Sequence, residues 1–114
     1  VPSTTAAASV VARFANDDRI DVDGPFGLDV AVNPEAASTK GIAGPVAGRA
    51  NILVMPSIDA ANALYKSLVA FADARVAGIV AGATVPVVLT SRADSEQSKL
   101  DALRFALAVA PGSR

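Results

Sequence analysis

The sequence predicts an α/β layered fold, a sheet with helices on both faces, and three observations carry that expectation. Short apolar or β-rich runs, at Asn51–Met55, Arg75–Val80 and Val85–Leu89, read as strands, the first of them buried on both sides. Other stretches space their apolar residues three and four apart, the period of an amphipathic helix. The two kinds follow one another as helix, strand, helix, strand, helix, strand, strand, helix, and such alternation implies packed layers. A chain of 114 residues amounts to one domain or one piece of a larger one.

Taken in order, Ser3–Asn16 reads as a helix with Ala7, Val10, Val11 and Phe14 on one face. Asp17-Asp18-Arg19 is a polar break, and Ile20–Val22 is a short extended segment that Asp23-Gly24-Pro25 turns. Leu28–Lys40 is mixed: Leu28, Val30 and Val32 alternate, but Ala31, Glu35, Ala36 and Ala37 favour one helix, and Pro34 suits a first turn. Gly41–Gly48 is a loop. Pro56 ends the Ile52–Met55 run, Ser57 is the expected N-cap of the next helix, and Ile58, Ala61, Leu64 or Tyr65, and Leu68 form its apolar stripe. Gly82 and Thr84 turn the chain between the last two strands. Asp94 is the expected cap of the final helix, Gln97 completes a capping box, and Leu100, Leu103 and Leu107 mark the face to be buried.

Composition narrows the function. Ten basic against eleven acidic residues leave no excess for nucleic acid and no polybasic run for anionic lipid. With 52% hydrophobic and 18% charged residues the chain is built to fold. There is no Cys and no His, so thiolate nucleophiles, disulfides and imidazole or thiolate metal ligands are excluded. No metal site is expected, and the lack of Cys fits a reducing, cytoplasmic setting. Any chemistry rests on carboxylates, hydroxyls, Arg or backbone amides. No cationic leader precedes an apolar core, and no run approaches the roughly 18 apolar residues of a membrane span. Val1 in place of Met reads as a cut from a longer chain.

Ser91-Arg92 is the most informative step. It follows a predicted strand and precedes a helix N-terminus, the edge at which open α/β sheets bind ligands. Free amides and a partial positive charge suit phosphate there, and Arg92 adds a fork of donors, although a surface Arg beside an ordinary cap has the same pattern. On the next turn, Asp94 or Glu96 is a candidate general base, with Ser95 and Ser98 beside them; acidic residues also favour a first helical turn for dipole reasons alone. Asp23, Asp29 and Glu35 match no calcium loop. Gly41–Gly48 lacks the Lys-Ser/Thr ending of a phosphate loop. Asn62, among Ala60, Ala61 and Ala63, reads first as a packed helical position and second as a ligand contact.

These same residues carry a family resemblance. Asp23-Gly24-Pro25 through Asp29 and Asn33-Pro34-Glu35, then Pro45-Val46-Ala47-Gly48-Arg49-Ala50-Asn51, then Met55 to Lys66, then Leu89-Thr90-Ser91-Arg92-Ala93-Asp94-Ser95 resemble, in the same order, four segments of the phosphate acetyltransferases and phosphate butyryltransferases. The likeness runs from about Asp21 to Ala108, and its ending is closer to the butyryl branch and to the forms fused to an enoyl-CoA hydratase. It implies a fold like that of isocitrate and isopropylmalate dehydrogenases, two α/β domains around a cleft, with residues 1–114 as the C-terminal portion of such an enzyme. It implies acyl-CoA and phosphate as substrates, coenzyme A with no tightly bound cofactor, the missing N-terminal portion as partner, and a homodimer. By the same resemblance Ser91, Arg92 and Asp94 inherit catalytic roles, and Ser91, Arg92, Ser95 and Asn62 ligand-binding ones. The acetyl branch carries an Asp seven positions after its Ser, where this chain has Ser98. The competing expectation is a non-catalytic coenzyme A-binding or dimerisation domain.

Overall fold

The structure, a computed structural model, describes residues 1–111. Its elements are α1 (Pro2–Phe14), α2 (Leu28–Val32), α3 (Pro34–Thr39), α4 (Ile58–Ala72) and α5 (Glu96–Val109). The chain divides into two units, Val1–Asn62 and Ala63–Arg114.

In the first unit, α1 forms where expected. Ala7, Val11 and Phe14, spaced four and three apart, are its half-buried stripe, while Val10 lies off it and is exposed. The single helix expected over Leu28–Lys40 is two. Asn33 separates them with φ −120° and ψ 112°, because the ring of Pro34 excludes the residue before it from helical geometry. Asn33 then caps α3, its side chain accepting hydrogen bonds from the Glu35 and Ala36 amides at 2.9 and 3.3 Å. The glycine-rich loop folds back onto α2: the Gly48 and Ala50 amides donate to the Val30 and Ala31 carbonyls at 2.7 and 2.9 Å. Val30, Ala31 and Ala37 are the buried residues beneath it.

The segments expected as strands are extended but almost unpaired. Among the described residues the only β pairing is an isolated antiparallel bridge, in which the Val80 amide donates to the Val87 carbonyl at 2.8 Å. Ile20–Val22 and Asn51–Met55 make no ladder. An apolar run specifies an extended conformation locally, but a strand exists only once a neighbour supplies the other half of its hydrogen bonds.

Helix α4, of which Ile58–Asn62 belong to the first unit and Ala63–Ala72 to the second, begins as expected, with the Ser57 hydroxyl accepting from the Ala60 amide at 3.2 Å. Its stripe is partial: Ala61, Leu64 and Tyr65 are half-buried, whereas Ile58 and Leu68 are exposed. The expected buried face of α5 is also corrected. Leu100, Leu103 and Leu107 are exposed, and the residue that packs is the small Ala102.

Gly48 is the position least able to accept a side chain. Its φ is +74°, and a Cβ there would meet the Pro34 backbone, 2.7 Å from its nitrogen. Gly41 has a similar φ of +65° with open space around it. In urea unfolding, Gly41→Ala should cost about 1 kcal/mol, the backbone strain alone. Gly48→Ala should cost about 3 kcal/mol or more, since strain and clash combine. Equal losses at the two sites would contradict the close approach.

Candidate functional site

The predicted Ser91-Arg92 step lies in the second unit, on the turn that leads into α5. That turn is held by a carboxylate. Asp94 Oδ2 accepts from the Ser91 amide at 2.7 Å, and Asp94 Oδ1 accepts from the Tyr65 hydroxyl at 3.3 Å. Ser91 Oγ accepts from the Ala93 amide at 3.3 Å, closing the turn on itself.

Asp94 is therefore not the cap of α5, as the sequence suggested. Its side chain turns back to Ser91, and Ser95 caps the helix, its hydroxyl oxygen accepting from the Ser98 amide at 3.1 Å. The expected capping box does not form either, because Gln97 donates along the helix to Asp101 at 2.9 Å. Two acceptor-bearing residues in succession offered two frames for the cap, and the Ser91 amide took the first of them.

Ser91 and Asp94 line a recess of about 490 Å³ together with Tyr65, Arg75, Thr90 and Ser98. The guanidinium of Arg75 on its wall is anchored to Asp101 Oδ2 through Nε at 3.0 Å and Nη2 at 2.5 Å. This pairing holds the Asp101 carboxyl below the usual carboxylate range, helped by Gln97 and Arg104. Tyr65 goes the other way. Burial first, then the neighbouring Asp94 charge, pushes its phenol above the ordinary tyrosine value.

The remaining candidates are dispersed. Arg92 is exposed on the turn, does not line the recess, and has no hydrogen bond or ion pair among the described residues. Ser95 is occupied as the helix cap. Asn62 is exposed on α4 and does not line the recess. Asp29 is paired with Lys40 at 2.6 Å, and Asp23 accepts from the Gly24 amide at 2.8 Å. Among the described residues no group of three or more Asp or Glu is placed to hold a metal ion. Sequence reasoning passed over Arg75, which starts an expected strand, and Tyr65, which falls on the expected apolar stripe of its helix. The available signal was that Tyr65 is the one tyrosine of the chain, and a half-buried phenol needs a partner.

The profile of the family described as phosphate acetyl/butaryl transferase matches residues 1–107. The chain belongs to this family. It is 44% identical over 110 residues to a phosphate butyryltransferase of Clostridium beijerinckii, covering 94% of this chain and 36% of that protein. It is 55% identical over 98 residues to a phosphate acetyltransferase of Thermotoga maritima, covering 83% of this chain and 33% of that one. The crystal structure of a branched-chain phosphotransacylase from Enterococcus faecalis V583 superimposes with a TM-score of 0.84 at 48% identity, over 94% of this chain and 39% of the other. The chain thus spans about a third of the length of these two enzymes and 39% of the solved chain.

The Tyr65–Asp94 contact can be read optically, since the chain has one Tyr and no Trp. The Tyr65 phenolate should appear only above the ordinary midpoint of 10.0. Because the folded value is raised, the protonated phenol's contribution to stability is complete below the unfolded value and is lost as pH rises through the folded one. Asp94→Asn should lower the midpoint without returning it to 10.0, since burial, the larger cause, remains. A midpoint unmoved by the substitution would count against the contact.

Proposed function

We propose that the enzyme carrying this chain transfers an acyl group between coenzyme A and inorganic phosphate, with residues 1–114 as its C-terminal portion, inactive alone. The observation that carries the reading is the turn: Ser91 faces a recess, an unpaired Arg92 follows it, and the amino end of α5 comes next. A phosphate needs such donors, cationic and amide together. That this chain covers only 36% of one relative and 39% of the solved chain supports a division of the active site between this chain and further sequence.

In the reaction a phosphate oxygen attacks the thioester carbonyl carbon. The carbon–sulfur bond breaks, the acyl group leaves as acyl phosphate, and the coenzyme A thiolate takes up a proton. Arg92 neutralises phosphate charge, and the Ser91 hydroxyl donates to the carbonyl oxygen or the departing sulfur; the site's contribution is positioning and charge stabilisation. Asp94, with both oxygens engaged, acts by holding Ser91. Ser95 and Asn62 are coenzyme A contacts of lower rank in this reading. Asn51–Met55, Arg75–Val80 and Val85–Leu89 are strands of a layered, dehydrogenase-like sheet whose partner strands lie in the rest of the enzyme. The exposure of Ile52 and Val54, at 76% and 82%, supports that reading, because large apolar side chains seldom lie bare in sequence runs of this kind. The enzyme is a cytoplasmic homodimer in the same reading.

Arg92→Ala in the full-length enzyme should lower turnover of acyl-CoA and phosphate by roughly a hundredfold, the scale of one preorganised donor. Arg92→Lys should recover only part, since an ammonium cannot replace a planar fork. A near-normal rate in the alanine variant would remove Arg92 from the site.

A further inference from the structure

We infer that Tyr65 is a positioning residue of this site, acting on Ser91 through Asp94. The inference rests on the acyl-transfer reading and adds to it a residue that touches no substrate. A turn of three residues between an extended segment and a helix has many conformations open to it, and the Ser91 hydroxyl is useful only in one. The Asp94 carboxylate selects that one by accepting the Ser91 amide at 2.7 Å. A carboxylate on a turn can itself rotate, and the Tyr65 hydroxyl, donating to its second oxygen at 3.3 Å, restrains it.

Tyr65 is suited to this because it stands on a different element. It lies within α4 (Ile58–Ala72), a helix of 15 residues, so its own position does not depend on the turn it restrains. The Lys66 ammonium, 4.8 Å from its ring centroid, flanks the ring. Both Tyr65 and Asp94 line the recess that Ser91 faces, so the restraint lies within the site's own wall. Among the described residues the Asp94 carboxylate accepts hydrogen bonds from Ser91 and Tyr65.

The test is steady-state kinetics of acyl phosphate formation by the full-length enzyme, with Tyr65→Phe made in the wild type and in a Ser91→Ala background. Phenylalanine keeps the ring and its packing and removes only the hydroxyl. In the wild type kcat should fall about tenfold, the scale of one charge-assisted hydrogen bond, while KM for acyl-CoA and for phosphate stays within about twofold. In the Ser91→Ala background the same substitution should cost less than about twofold, because the group being positioned is gone. A Tyr65→Phe enzyme with unchanged kcat overturns the inference. So does an equal loss in both backgrounds, which marks a residue needed only for folding, and so does a Ser91→Ala enzyme as fast as the wild type. A wild-type enzyme that forms no acyl phosphate at all would instead remove the acyl-transfer reading, and this inference with it.

Discussion

The second unit depends on one carboxylate with two hydrogen bonds. Asp94 accepts from a backbone amide of its own turn and from a phenol on α4, so the loop that carries Ser91 is tied to a helix rather than left to solvent. Hydrogen bonds to an ionised acceptor are about twice as strong as neutral ones, and an amide left without that acceptor would lose its partner in the turn. Where α5 begins follows from the same choice. With Asp94 committed to Ser91, the capping role passes to Ser95, and Glu96 becomes the first helical residue, where its charge suits the helix dipole.

The first unit is organised by a close backbone approach instead. Gly48 lies against Pro34, and the loop around it hands two amides to the carbonyls of α2. Only a residue without a side chain fits there at positive φ, which explains why the loop is rich in glycine without being a phosphate loop. Gly48 serves this close approach, and the end of the loop is a strap across Val30 and Ala31.

Much of this was legible in the sequence, and the failures share a cause. Most of the α1 stripe and the Ser57 cap follow from residues within a few positions of each other, and local signals sufficed. The strands did not follow, because pairing is a property of two segments and an apolar run describes one. Leu100, Leu103 and Leu107 keep a helical period that points to burial, yet they are exposed among the described residues; period tells which side chains share a face, not what covers it. The break at Asn33 was readable from Pro34 and was outweighed by the alanines on either side. Tyr65 and Arg75 were missed because each acts across 26 residues or more, on Asp94 and Asp101.

Ser91 and Arg92, in the proposed reading, form one side of an acyl-transfer site completed by further sequence. The decisive experiment measures thioester-dependent acyl phosphate formation, with acetyl-, butyryl- and branched-chain acyl-CoA, by the 114-residue chain and by the full-length enzyme side by side. Turnover is expected from the full-length enzyme and none from the chain alone. Turnover by neither, with coenzyme A still bound, would contradict this reading and identify a binding module.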